Sequence, residues 1–85
     1  MNDFIKFGAD EKICKSIALR VRERRKELNM TQRELSEAIG RGNPHYICDY
    51  EEGKRVPGAI SLAKLALVLE VPTDWLLGLT DSKDI

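Results

Sequence analysis

The sequence predicts an all-α fold, a compact bundle of about five helices. Three observations carry this expectation. Apolar residues recur at three- and four-residue spacing along most of the chain, as in Ile13, Ile17 and Val21 or Leu35, Ala38 and Ile39. Helix-starting and helix-stopping residues bracket these segments. Val, Ile and Thr nowhere alternate with polar residues over a long run, which a sheet would need. With 85 residues, 42% of them hydrophobic, the chain can build one domain around one modest core.

In chain order, residues 1–9 (M-N-D-F-I-K-F-G-A) show no helix signal and read as an N-terminal tail. Phe4, Ile5 and Phe7 could tuck it against the domain or a partner. A folded unit over 10–79 follows, then a short tail over 80–85. Asp10 is placed to cap a first helix running to about Leu28. Ile13, Ile17, Val21 and Leu28 trace its inner stripe, with Arg25 at the edge. An arginine beside a buried stripe needs a partner, because an unpaired buried charge is costly. Glu51, further along, is the candidate; the alternative is that Arg25 is simply solvated.

The stretch from Met30 to Gly53 reads as helix, tight turn, helix. Thr31 and Glu34 have the spacing of a capping box, and Met30 with Leu35 that of a hydrophobic staple. The helix stops at Gly40. A polar turn, Arg41-Gly42-Asn43, leads to a further helix that Asn43 caps, with Pro44 at its first position, where a missing N–H is harmless. Gly53 ends it. Ile47, Tyr50 and Glu51 share the inward side of this helix; His45, Asp49 and Glu52 share the outward side. This is the layout of a helix-turn-helix whose second helix enters a DNA groove. It is equally that of an ordinary helical hairpin with a polar outer face.

Lys54 and Arg55 follow the helix end and precede a loop stiffened by Pro57. They are read as phosphate contacts, the alternative being plain solvation near a helix C-terminus. The next helix, about Ala59 to Leu69, is apolar on nearly every side except at Ser61 and Lys64. Such a helix is buried in the core or partly covered by a second subunit. Val71-Pro72-Thr73-Asp74 begins a last short helix carrying Trp75, Leu76 and Leu77 and ending at Gly78. Trp75 is a core or interface anchor. Leu79 and the polar T-D-S-K-D-I tail either fray or extend a contact between subunits.

Ile17-x-x-x-Val21-x-x-x-Arg25, then L-N-M-T-Q-R-E-L, I-G, I-C-D-Y-E-E-G-K-R-V-P, L-A-K-L-A and V-P-T-D-W-L-L-G occur in that order. Together they resemble the Cro/phage-repressor type of helix-turn-helix domain, the XRE family, over roughly Ile17 to Gly78. The resemblance implies a lambda-repressor-like domain that binds double-stranded operator DNA, usually as a homodimer, with Arg25 clamped to Glu51. Asn29 stands where the family often has glycine, and asparagine tolerates the left-handed conformation needed there. Two departures are visible. The turn from Gly40 to the reading helix is one residue longer than usual, and Pro44 sits where members often place a polar reading side chain.

Side-chain chemistry assigns the candidate DNA contacts. Gln32 can bond a phosphate or reach a base edge. Arg41 can reach backbone or base. Asn43 can serve adenine and His45 guanine. Tyr46 can bond a phosphate or pack on a thymine methyl. Asp49 can accept from a cytosine amine, although it would repel a nearby phosphate. Lys54 and Arg55 complete the set.

Fourteen basic and fourteen acidic residues cancel, so the chain lacks the net positive charge that often marks nucleic-acid binders. Basic residues crowd Arg20 to Lys26, while residues 56–85 lean acidic. An electrostatic imbalance along the molecule is expected, with modest non-specific attraction to DNA. Cys14 and Cys48 are expected as free thiols, and the single histidine leaves no metal-ligand spacing. No nucleophile–base pair, phosphate-cradling glycine loop or H-E-x-x-H is present, so no enzyme, cofactor or small-molecule ligand is expected. No apolar run reaches membrane-spanning length, and the start does not look like a signal peptide. The leading reading is a cytoplasmic, sequence-specific DNA-binding transcriptional regulator, a repressor, acting as a homodimer. The reading helix, about 44–52, would enter the major groove, its dimer mate about 34 Å away. The alternative is a protein-interaction module on the same fold.

Overall fold

A computed structural model describes residues 8–85. Phe4, Ile5 and Phe7 lie outside the described residues. The elements are α1 (Ala9–Glu27), α2 (Gln32–Ala38), α3 (His45–Glu52), α4 (Ala59–Leu69) and α5 (Thr73–Leu77), with no strand among the described residues. The all-α expectation holds. The long α1 packs chiefly against α3 and α5, α2 against α3, and α4 against α1 and α5.

The core follows the apolar spacing. Ile17 and Val21 of α1, Leu35 of α2, Ile47 and Tyr50 of α3, Leu65 and Leu69 of α4, and Trp75 and Leu76 of α5 are buried together with Ile39 and Val71. Ala38 does not join them; it is exposed, one step around α2 from the inward arc. In α4, Leu65, Ala66 and Leu69 face inward, while Ile60 and Leu67 stay 74% and 79% exposed. Burial of α4 is therefore one-sided.

Local chemistry sets the ends. The capping box forms: the Glu34 amide donates to Thr31 Oγ1 at 3.0 Å and the Thr31 amide to Glu34 Oε1 at 2.9 Å. These bonds hold the Glu34 carboxyl below its usual range, the Thr31 amide contributing most. Asp10 does not cap α1. Gly8, in a left-handed conformation, precedes the helix, and Asp10 sits inside the first turn, where its charge suits the helix dipole. Asn29 takes φ 56°, the left-handed state expected of it. Gly78 closes α5 at φ 82°, and a Cβ there would fall 2.6 Å from Ser16 Oγ. A side chain at this position is therefore excluded both by the backbone and by α1.

After α5 the chain is tied back to α1. Arg20 Nη1 donates to the carbonyls of Trp75 (2.7 Å) and Thr80 (2.6 Å), and Nη2 to Asp81 (2.8 Å). Lys83 Nζ pairs with Glu27 at 3.1 Å. Arg20 and Asp81 thus pair a basic group of α1 with an acidic one of the C-terminal segment, while Lys83 and Glu27 pair in the opposite sense.

Candidate nucleic-acid interface

α3 is oriented by its inner seam. Ile47 is fully buried and Tyr50 nearly so. Next to them Arg25 Nε donates to Glu51 Oε2 at 2.6 Å and Nη2 to Glu51 Oε1 at 3.0 Å, a two-point fork. Arg25 Nη1 also donates to the Met30 carbonyl at 2.8 Å. The Glu51 hydrogen bond, opposed by burial, raises the Arg25 pKa further above its ordinary value. The solvated alternative for Arg25 is excluded. The pair fixes α3 to α1, and the Met30 bond fixes the loop entering α2.

Gln32 joins this buried pair. Its amide donates to Glu51 Oε1 at 3.2 Å. The Gln32 side chain, read from the sequence as a DNA contact, is thus turned inward to Glu51.

The longer turn between α2 and α3 is held from within. The wholly buried Ser36 hydroxyl lies 2.7 Å from both the Arg41 and Asn43 carbonyls, which share its single proton. The Arg41 amide returns a bond to the Ser36 carbonyl at 2.8 Å. Sequence reading missed Ser36; its signal was a small polar residue between the inward Leu35 and Ile39. At the start of α3, Asn43 Oδ1 accepts from the His45 amide at 2.9 Å. Pro44 has helical backbone angles (φ −64°, ψ −14°) but stands at the cap position, with His45 the first helical residue, one place later than the sequence suggests.

The outward side carries Asn43, His45 and Glu52, all exposed, with Tyr46, Cys48 and Asp49 half-buried beside them. Both cysteines are free thiols. Burial and the Glu52 carboxylate push the Cys48 thiol above its ordinary pKa. Lys54 Nζ pairs with Glu52 at 3.1 Å, and Arg55 Nε approaches Asp49 at 3.6 Å. The two carboxylates of this face are therefore screened by the two cations that follow the helix. The Lys54 bond holds the Glu52 carboxyl below its usual range and raises the Lys54 ammonium.

Tyr46 joins Arg41 to Arg55. The Arg41 and Arg55 guanidinium carbons lie 4.5 Å and 4.9 Å from its ring centroid. The structure thus gathers Arg41, Tyr46, Asp49 and Arg55 into one cluster at the edge of α3, with Asn43 and His45 at its N-terminal end. Among the described residues no group of His, Cys, Asp and Glu side chains could hold a metal ion. No helix is long and apolar enough to cross a membrane, over those same residues.

Comparison with known proteins agrees with this architecture. The family described as the helix-turn-helix domain matches residues 19–82. The HTH-type transcriptional regulator ImmR of Bacillus subtilis (strain 168) is 36% identical over 63 residues, covering 74% of this chain and 49% of its own length. The chain thus spans about half of that relative. No solved structure matches. A matched region running from α1 to beyond α5, with the two-helix unit locked by Arg25 and Glu51 at its centre, shows that the chain belongs to the helix-turn-helix domain family, with the XRE-like features its sequence carries.

Proposed function

We propose that the chain is a cytoplasmic, sequence-specific double-stranded DNA-binding transcriptional regulator, a repressor, that uses α3 as its reading helix in the major groove. The observation that carries this reading is the orientation of α3. Its inner side is fixed by Ile47, Tyr50 and the Arg25–Glu51 fork, which leaves Asn43 and His45 at the outward N-terminal end, where base contacts fall in this class of motif. That the Bacillus relative is an HTH-type transcriptional regulator supports the same role. Asn43 and His45 are the base readers, with Asp49 placed to accept from a cytosine amine; Arg41, Lys54 and Arg55 are the backbone contacts, with Tyr46 beside them, and the backbone amides at the start of α2, next to Gln32, offer a further phosphate contact. A homodimer forms through the outer side of α4, where Ile60 and Leu67 are exposed.

The test is selection of bound duplexes from a random pool, followed by binding across salt concentrations. A recovered palindrome, with log K falling steeply against log salt, is the expected result. His45→Ala or Asn43→Ala then relaxes preference at one position of each half-site. Failure to recover any motif, with affinity insensitive to salt, overturns the reading. It would favour the protein-interaction alternative, to which Asp49 and Glu52 on the outward side of α3 lend support.

A further inference from the structure

Arg41 comes from the turn before α3 and Arg55 from the loop after it, fourteen positions apart, yet both rest on the ring of Tyr46. Each guanidinium is thinly engaged. Among the described residues, the Arg41 guanidinium has one hydrogen-bond acceptor, Ser61 Oγ at 3.3 Å. Arg55 has only the Asp49 carboxylate at 3.6 Å, too far for a hydrogen bond. Most of their donors are therefore available. The two cations and the ring border one open groove of about 500 Å³, which also reaches Ser61.

Two like charges on one ring repel each other, and the ring face attracts both. An anion placed against the pair gains from both cations and relieves their repulsion. Exposed arginines usually lose side-chain entropy on binding a phosphate, at about 0.5–1.5 kcal/mol each. Stacking on Tyr46 removes part of that loss beforehand. The reading of the chain as a DNA binder left the role of the ring open, as a phosphate donor or a thymine contact. Its position between two underused guanidinium groups decides otherwise.

We infer that Tyr46 is a positioning residue that holds Arg41 and Arg55 together as a single clamp for the DNA phosphodiester backbone, with Asp49 as the intramolecular anion that a phosphate displaces. The inference rests on the DNA-binding reading. The clamp recognises phosphate, so it acts on every duplex sequence alike. It also accounts for how a chain of zero net charge attracts DNA: two cations are concentrated at one edge of the reading helix while Arg20, Arg24 and Arg25 of α1 are spent internally.

The test is binding of a mixed-sequence duplex of about 30 base pairs, titrated against salt, by the full chain and four variants. Each phosphate contact contributes a slope of about 0.9 in log K against log salt. The double variant Arg41→Gln/Arg55→Gln should lower the slope by about two. Tyr46→Leu should weaken binding about tenfold on every sequence, and Tyr46→Phe, which keeps the ring, should restore it to within about twofold. Asp49→Asn should tighten binding severalfold at low salt by removing the competing carboxylate. Equal losses in Tyr46→Phe and Tyr46→Leu would overturn the clamp, because the hydroxyl would then be the working group. An unchanged slope in the double arginine variant, or no gain in Asp49→Asn, would overturn it even if Tyr46→Leu fails to fold. If the unmodified chain shows no salt-dependent duplex binding, the DNA reading itself falls. If it binds with a steep slope and the variants do not differ, only the clamp falls.

Discussion

Arg20, Arg24 and Arg25 of α1 and the two arginines beside α3 are chemically the same group put to opposite uses. Arg25 divides three donors between Glu51 and the Met30 carbonyl. Arg20 ties Trp75, Thr80 and Asp81 together and stacks on the Trp75 ring at 4.8 Å. Arg24 holds the Leu69 carbonyl at 2.8 Å and Glu27 at 3.2 Å. Arg41 and Arg55 stack on an aromatic ring in the same way, but each has a single polar partner. A guanidinium with five donors is a strap when most are engaged and a binding group when most are open. Counting arginines along the sequence singles out α1; counting their acceptors shows that Arg20, Arg24 and Arg25 are already engaged within the fold.

The contrast is broken most severely at Arg25. Arg25→Ala leaves Glu51, whose side chain is 4% exposed, as a buried uncompensated carboxylate. Removing one partner of such a pair costs about 3–5 kcal/mol, a large share of the roughly 5–15 kcal/mol that holds a domain together. Urea unfolding should show this loss as a lowered midpoint. Replacing both partners, Arg25→Met with Glu51→Leu, should recover most of it, since apolar pairs of similar volume often substitute for buried ion pairs. A double variant no more stable than Arg25→Ala would mean that the Met30 and Gln32 bonds, and not the stranded charge, dominate.

A smaller effect separates the two classes directly. Arg20→Gln removes charge-assisted bonds to two carbonyls and should cost about 2 kcal/mol in thermal or urea unfolding. It should leave the salt dependence of DNA binding unchanged. Arg41→Gln and Arg55→Gln should do the reverse, shifting stability by less than about 0.5 kcal/mol because both side chains are on the surface. An Arg20 variant that lowers the salt slope, or an Arg55 variant that unfolds the domain, would erase the distinction.

What the sequence revealed and what it hid follow from the range of the interactions. The Thr31–Glu34 box, the left-handed Asn29 and the Asn43–Pro44 helix start are legible because each is settled within four residues. The Arg25–Glu51 pair spans 26 positions, yet it was legible because a charge at the edge of an apolar stripe requires a partner and Glu51 lay on the facing inner side. Ser36 was not legible: its hydroxyl serves a turn whose path depends on the extra residue before Asn43. Nor was the inward amide of Gln32, which follows from where Glu51 ends up. The Arg41–Tyr46–Arg55 stack needs the turn and the loop to meet across α3, and no periodicity along the chain encodes that.

The gentlest probe is acid, and it distinguishes the strap at the end of α1 from the cap of α2. Glu27 is held below the usual carboxylate range, first by the Lys83 hydrogen bond and then by that of Arg24. Glu34 is lowered chiefly by the Thr31 backbone amide. A carboxyl whose folded pKa lies below its unfolded one adds stability that is fully present above the ordinary carboxylate range. That contribution fades as pH falls through the range toward the folded value. Both groups therefore predict a melting temperature that declines on acidification, by a small amount because both are at the surface. Salt separates them. The Glu27 contribution depends on exposed cations and should shrink at high ionic strength, whereas the Glu34 bond to a neutral amide should persist. Melting followed against pH at low and high salt should therefore show that Glu27→Gln removes the salt-sensitive part of the decline and Glu34→Ala the salt-insensitive part. If Glu27→Gln leaves the low-salt curve unchanged, the segment after α5 is held by the Arg20–carbonyl bonds and the Lys83 pair adds nothing to it.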